Sequence, residues 1–279
     1  MKFQKYHGLG NHFIFISKED QNLRDQKFFE FGDGFPHLIQ KLCDPSRGVG
    51  ADGVIMIHKY PTISLWNADG SPAKTCGNAL RCLALWAQQK GLWDGQSIQV
   101  IKRIDQEIIA HLLPKDHLQD NVFTVDMGKV KNKKTQDLPQ CLKVRFPKTK
   151  ELWVSLENEH WVFENSLFAD LSFSEIEKLG LEIQKESQNF SQNIPNVGFL
   201  YQKDKLYLNV VERGVGLTEC CGSGACAAYI AWNEWNPQEK NLPRTLSLKG
   251  GDLHIQTQKE RIMMTGEAEY IYSGEIELT

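Results

Sequence analysis

Two short segments that each begin with Cys-Gly constrain this chain more than any other feature. The first runs from Cys76 to Cys82, and the second runs from Cys221 to Cys226. Each leads into a stretch with small and apolar residues at helical spacing, so each first cysteine is predicted to stand at a helix start. Backbone N–H groups and the helix dipole favour negative charge there, so we expect both thiols to have a lowered pKa. Two such thiols could face one substrate, one removing a proton and the other returning one.

Length and charge narrow the class of protein. The 279 residues predict about two domains, and 32 basic against 35 acidic residues leave no electrostatic footprint for nucleic acid or an acidic membrane surface. No apolar run is long enough to span a bilayer, and the first residues lack a secretory signal, so we expect a cytoplasmic protein. An odd count of seven cysteines argues against a disulfide framework, and their spacing fits zinc poorly, so no metal is expected.

The two halves of the chain show the same pattern. Short apolar runs predict many strands in each half around one central helix, over Cys76 to Lys90 and Cys221 to Trp232. Shorter helices are predicted over Phe35 to Cys43 and Ser172 to Leu179, and a surface loop over Lys129 to Gln140. We therefore predict an α/β (α+β) fold of two pseudo-symmetric domains. Each domain is a strand-rich, barrel-like sheet wrapped around its helix, with the active site in the cleft between the domains.

The paired helix starts are suited to proton transfer next to a carboxylate. Their backbone N–H groups are predicted to bind one carboxylate, with its α-carbon between the two thiols. Removing the α-proton builds enolate-like charge on that carboxylate, so donors aimed at it stabilise the transition state more than the ground state. The residues that supply these donors are Cys76, Gly77, Asn78, Cys221, Gly222 and Ser223.

Other polar residues fit the same chemistry only in combination. His160 and Glu212 are candidates to accept a proton from a thiol, and Arg213 is suited to a second carboxylate. Taken singly, a histidine on a strand is more often a core residue, and Glu212-Arg213 would be an ordinary surface pair. The amides suited to orienting ammonium and carboxylate groups are those of Asn11, Asn67, Asn158 and Asn196.

These motifs resemble those of the diaminopimelate epimerase family, which comprises cofactor-independent enzymes of lysine and peptidoglycan synthesis. The resemblance extends over nearly the whole chain. The resemblance implies that Cys76 and Cys221 are the acid and base and that His160 and Glu212 assist them. It implies that Asn11, Asn67, Asn158, Asn196 and Arg213 hold the substrate and that Gly77, Asn78, Gly222 and Ser223 bind the reacting carboxylate. The matching segments are Lys5 to Asn11, Arg47 to Gly53, Asn67 to Ser71, Cys76 to Asn78, Met127-Gly128, Asn196-Val197, Glu212 to Gly214 and Cys221 to Cys226.

The resemblance also implies a reaction and a domain division. The reaction interconverts LL- and meso-2,6-diaminopimelate by two-base proton transfer, without a cofactor, on a small-molecule substrate, and family precedent points to a homodimer. The domains are expected at 1–125 with 267–279 as a returning strand, and at 126–266. Substrate identity is the open point, because the chain departs from the family pattern at His12, Gly53, Glu157 and Glu159.

Three alternatives remain at this stage. The first is a related racemase of another amino acid, such as histidine or proline. The second is a non-catalytic protein that binds diaminopimelate, which the presence of both cysteines, His160 and Glu212 argues against. The third is an isomerase of the phenazine-pathway type, but such proteins lack the cysteine pair.

Overall fold

The structure, a computed structural model, describes residues 1–22, 35–73, 75–105, 107–114 and 120–277. The chain divides into two compact units: unit 1 comprises Met1–Asp126 and Gly266–Thr279, and unit 2 comprises Met127–Thr265. Leu278 and Thr279, at the end of the expected returning strand, lie outside the described residues. No helix in the described ranges is long and apolar enough to cross a membrane.

Five α-helices and seventeen strands are described. The helices are α1 (Phe35–Cys43), α2 (Gly77–Gln89), α3 (Gln140–Arg145), α4 (Phe173–Ser187) and α5 (Gly222–Trp235). The strands are β1 (Lys2–Gly8), β2 (Asn11–Ser17), β3 (Gly53–Lys59), β4 (Thr62–Asn67), β5 (Gln99–Arg103), β6 (Ile108–Leu113), β7 (Val122–Asp126), β8 (Asn132–Lys134), β9 (Lys150–Ser155), β10 (Glu159–Glu164), β11 (Asn196–Gln202), β12 (Leu206–Glu212), β13 (Gly216–Thr218), β14 (Arg244–Leu248), β15 (Gly251–Gln258), β16 (Arg261–Glu267) and β17 (Glu269–Glu275).

Strand pairing shows that the two units repeat one topology. In unit 1 the order is β17-β1-β2-β3-β4-β5-β6-β7, with β2–β3 and β4–β5 parallel and every other pair antiparallel. In unit 2 the order is β8-β9-β10-β11-β12-β14-β15-β16, and again only the third and fifth pairs are parallel. Within each unit, the central helix is inserted between the two strands of the second parallel pair. The motif cysteines therefore occupy equivalent positions in the two units.

Each central helix is surrounded by its own sheet. Helix α2 contacts β17 and β1 as well as β6 and β7, which lie at opposite ends of the strand order of unit 1, so the sheet curls around it. Helix α5 likewise contacts β9 and β15. Residues Gly77 to Ala87 of α2 are all buried, as expected for a helix that is enclosed on every side. This matches the predicted strand-rich sheet around a helix.

The outer helices cover the other faces of the sheets. Helix α1 spans the predicted residues, and its apolar face packs in one cluster with Val54 and Met56 of β3. Helix α4 begins with a capping box between Ser172 and Glu175 and continues to Ser187, eight residues beyond the predicted end, because Ile183 still packs into the core. The short strand β8 lies in the segment predicted as a loop. Its three residues are exposed and polar, so the sequence carries no strand signal there.

Candidate active site

Cys76 stands at the start of α2, as the sequence predicts. Its backbone is extended, with φ −144° and ψ 114°, and its carbonyl accepts the first helical hydrogen bond, from Leu80. The side chain is half-buried. The N–H groups of the first turn of an α-helix, here including those of Gly77 and Asn78, point out of its end, so this end is suited to an anion.

A line of amides connects this helix start to the β1–β2 hairpin. Leu9 and Gly10 both have positive φ, which is the type I′ turn that joins adjacent antiparallel strands and brings Asn11 beside α2. Asn78 is buried, and its Nδ2 donates to Oδ1 of Asn11 at 3.1 Å. Nδ2 of Asn11 donates in turn to Asp52 at 2.8 Å. Asp52 also accepts from the backbone N–H of His12 at 2.6 Å, so it anchors the whole line.

Asn67 lies apart from this line. It is exposed at the end of β4, and its Nδ2 donates to the hydroxyl of Ser71 at 3.0 Å. In the sheet it lies opposite Gly53 of β3. A Cβ atom on Gly53 would lie 2.6 Å from the carbonyl oxygen of Trp66, so no side chain fits there without movement. Gly53 is one of the positions where the chain departs from the family pattern.

Cys221 occupies the corresponding position at the start of α5. Its φ of −114° and ψ of 103° are again extended, and the residue is buried. The N–H of Gly224 donates to its Sγ at 3.4 Å, and the hydroxyl of Ser223 lies 3.6 Å from the same sulfur. The thiol is also hydrogen-bonded to the carboxylate of Glu212, which the hydroxyl of Thr218 holds at 2.7 Å.

The expectation of a lowered pKa is wrong for Cys221. Burial raises the pKa of its thiol well above the ordinary value, and the nearby Glu212 carboxylate raises it further. The hydrogen bonds from Ser223 and Gly224 act in the opposite direction and are outweighed. The helix start is present, but loss of water and a facing negative charge have the larger effect. Cys221 is therefore a protonated thiol at neutral pH.

The remaining predicted residues of unit 2 lie along neighbouring strands. His160 on β10 pairs in register with Asn196 on the parallel strand β11, and the Oδ1 of Asn196 accepts from the backbone N–H of Arg213 at 2.9 Å. Burial lowers the pKa of His160 to about 3, so the ring is neutral, and its Nε2 has no hydrogen-bond partner among the described residues. Arg213 is exposed, and so is Asn158 in the β9–β10 turn.

Most of the predicted residues therefore fall into three groups joined by hydrogen bonds or strand register, and Asn67 and Asn158 lie outside these groups. In unit 1, Asn11 joins the α2 start. In unit 2, Cys221 groups with Glu212 and Ser223, while His160 groups with Asn196 and Arg213. Sequence reasoning missed Asp52 and Thr218, which hold Asn11 and Glu212. Asp52 lies within a motif segment, but nothing in the sequence connects it to a particular amide, and Thr218 carries no signal.

Comparison with known proteins agrees with the motifs. The family model described as diaminopimelate epimerase matches residues 3–132. A diaminopimelate epimerase of Bacillus velezensis is 32% identical over 98% of this chain and 97% of that protein. One from Oceanobacillus iheyensis is also 32% identical, over 98% of this chain and 96% of its own length. The chain belongs to the diaminopimelate epimerase family.

A solved structure with much lower sequence identity supports the fold. A phenazine biosynthesis protein of the PhzF family from Bacillus anthracis superposes with a TM-score of 0.74 over 100% of this chain and 99% of that one. The two sequences are only 9% identical, so this likeness concerns the fold alone. The diaminopimelate epimerase family is thus shown by sequence similarity, and the α/β fold by the likeness to a solved structure.

Two departures from the diaminopimelate epimerase pattern flank Asn158. The Glu159 carboxylate accepts from the indole N–H of Trp153 at 2.5 Å and from the hydroxyl of Ser155 at 2.6 Å. Glu157 pairs with Lys131 at 2.8 Å. Both carboxylates are thus engaged by side chains of unit 2.

Proposed function

We propose that this chain interconverts LL- and meso-diaminopimelate in the cytoplasm by cofactor-independent proton transfer at one α-carbon. The observation that carries the proposal is the pair of equivalent helix starts. Cys76 precedes α2 and Cys221 precedes α5, and each helix is inserted at the same point of the same strand topology. Curated relatives named diaminopimelate epimerase, similar over nearly the full length, support the choice of substrate.

In one direction of the reaction, the thiolate of Cys76 removes the α-proton and the thiol of Cys221 donates its proton to the opposite face. The C–H bond breaks as an S–H bond forms on Cys76, and the S–H bond of Cys221 breaks as the new C–H bond forms. The protonated state of Cys221 suits the donor role. In the reverse direction the roles exchange, with Glu212 placed to take the Cys221 proton.

Charge that develops on the substrate carboxylate is stabilised by the two helix starts. Their first-turn N–H groups, those of Gly77, Asn78, Gly222 and Ser223 among them, act most strongly when the carboxylate gains enolate character. We propose that a guanidinium and four amides hold the substrate, several of them at its distal amino-acid end, namely those of Arg213, Asn11, Asn67, Asn158 and Asn196. Recognition of two charged ends selects diaminopimelate over amino acids with one.

Substitution of either motif cysteine tests the mechanism. Cys76→Ala and Cys221→Ala should each lower the rate of epimerisation by at least roughly a hundredfold, since a positioned acid or base contributes about 10² to 10⁴. Epimerisation is followed by chiral chromatography and by α-deuterium uptake from deuterated water. Cys141→Ala is the control, because Cys141 is a half-buried cysteine outside both motifs and should leave the rate unchanged.

The same assay separates the alternatives. Histidine and proline are offered in parallel with diaminopimelate, and calorimetry measures binding. Epimerisation that persists in either motif variant contradicts the mechanism. Racemisation of another amino acid with none of diaminopimelate contradicts the substrate, and binding of diaminopimelate without proton exchange contradicts the activity.

A further inference from the structure

Helix α2 contains a single charged residue, Arg81, and it is completely buried. Within the described residues its guanidinium makes one hydrogen bond, from Nη2 to Oδ1 of Asn78 at 3.1 Å. Its Nε and Nη1 atoms are also buried and have no acceptor there. No carboxylate forms an ion pair with it among the residues that the structure describes.

A buried cation without a counter-ion is strongly unfavourable for stability. Apolar residues of similar volume commonly replace buried charges at no cost to the fold, or with a gain. The neighbours of Arg81 in the helix, such as Leu80 and Leu83, are fully buried apolar residues, so apolar side chains are common at this depth of the core. Stability therefore does not explain why an arginine stands there.

The hydrogen bond to Asn78 gives the guanidinium a directional effect. A guanidinium only donates, so it forces the Asn78 oxygen to face it and the Asn78 amino group to face away. That amino group then donates to Asn11, whose own amino group donates to Asp52. Arg81 at one end of this line and Asp52 at the other thus hold the orientation of two amides that belong to the candidate site.

The position of the guanidinium also brings its positive charge close to the start of α2. It reaches the β1–β2 turn, since a Cβ atom on Gly8 would lie 2.9 Å from Nη2 and 3.2 Å from the carbonyl oxygen of Asn78. Arg81 begins the second turn of α2, one turn beyond Gly77 and Asn78. Its fixed positive charge adds to that of the helix start, in surroundings with little water to screen it.

We propose that Arg81 is a positioning residue for proton transfer: it orients the amides of Asn78 and Asn11 and adds positive charge behind the carboxylate-binding start of α2. This inference rests on the proposed epimerase function. Because charge grows on the substrate carboxylate in the transition state, the effect falls on kcat more than on KM.

Three variants test the proposal: Arg81→Met, Arg81→Lys and the control Arg103→Met. Arg103 is a unit 1 arginine with exposed acidic partners, Asp105 and Glu107. Arg81→Met should keep or raise Tm while kcat falls at least tenfold and KM changes less than threefold. Arg81→Lys, which keeps the charge, should recover part of kcat. Arg103→Met should have the Tm, kcat and KM of the parent.

Two outcomes overturn the proposal. One is a parental kcat in Arg81→Met. The other is a loss of kcat that is equal in Arg81→Met and Arg81→Lys and accompanied by a lowered Tm, which marks a merely structural role. If Arg81→Met does not fold, Gly8→Ala replaces it, since the added methyl displaces Nη2 and keeps the charge. It should lower kcat at least threefold, and a parental kcat contradicts the proposal.

A second readout separates this inference from the proposed function. The side-chain amide protons of Asn78 and Asn11 are followed by NMR in the parent and in Arg81→Met. We expect protected, resolved signals in the parent and faster exchange or altered shifts in the variant. Unchanged signals contradict the orienting role. A parent protein that does not epimerise diaminopimelate contradicts the proposed function instead, whatever these signals show.

Discussion

At the scale of single residues, burial and the contact with Glu212 together keep the Cys221 thiol protonated. The helix start and the hydroxyl of Ser223 favour a thiolate, whereas burial and the carboxylate favour the thiol. The second pair has the larger effect because removal from water and a like charge both act on the ionised form. Thr218 fixes the carboxylate in place, so the state of Cys221 depends on a residue outside the motif.

Neutralising Glu212 tests this balance. In Glu212→Gln we expect the pKa of Cys221 to fall, because the negative charge is removed while burial remains, so alkylation at a fixed pH should become severalfold faster. The rate is measured by iodoacetamide labelling and peptide mass spectrometry across pH 7 to 10. Thr218→Val is the matched variant, since it removes the hydroxyl bond and leaves the charge, and it should change the rate less. Slower labelling in Glu212→Gln contradicts this account.

At the scale of elements, the β9–β10 hairpin controls how Asn158 is presented. Glu159 follows this asparagine, at one of the positions where the chain departs from the family pattern. The carboxylate of Glu159 is held by Trp153 and Ser155 of β9, which closes the hairpin through side chains. A backbone bond from the N–H of Leu156 to the carbonyl of Asn158 tightens the turn. Side-chain and backbone hydrogen bonds thus both restrain the turn that carries Asn158.

Removing this restraint should affect substrate binding more than the chemical step. In Glu159→Ala the indole N–H of Trp153 loses its acceptor, which costs about 1–3 kcal/mol of stability, and Asn158 loses its fixed position. We expect KM for diaminopimelate to rise at least threefold with a smaller change in kcat. Glu157→Ala serves as the control, because its ion pair with Lys131 is exposed and contributes little. Equal KM values in the two variants contradict the role of Glu159.

At the scale of the whole molecule, two units with the same strand pairing each enclose their own helix. Unit 2 also encloses His160, whose folded-state pKa of about 3 lies below the ordinary value of 6.5. Between these values the unfolded chain binds a proton that the folded chain does not. The contribution of the neutral His160 ring to the free energy of unfolding is therefore complete above about pH 6.5 and is lost as the pH falls toward 3.

The homodimer stays a prediction, which analytical sedimentation would test.

Comparison with His160→Gln isolates this contribution. The free energy of unfolding of the parent minus that of His160→Gln should be constant above about pH 7 and should fall by up to about 1.4 kcal/mol per pH unit below pH 6. Other titrating groups cancel in the difference. Urea unfolding at pH 8, 7, 6, 5 and 4.5 provides the values. A difference that does not change with pH contradicts a buried, neutral His160.

The sequence by itself determined the duplicated plan, the two central helices and the cysteine at the start of each. These features depend on local periodicity, on Gly following Cys, and on motif spacing, all of which are readable along one chain. It also determined the family, because paired Cys-Gly motifs in this order are specific. The predicted bounds of helix α1 agree with the structure to the residue for the same reason, because its apolar residues repeat at helical spacing.

Only the tertiary structure decided the electrostatics of these residues. Burial and Glu212 raise the pKa of the Cys221 thiol, burial keeps the ring of His160 neutral, and Arg81 is enclosed in the core of unit 1. The sequence places an amide or a thiol at a helix start, but it does not show the carboxylate that faces it or the water that is excluded. Protonation and orientation depend on those surroundings, which form only when the chain folds.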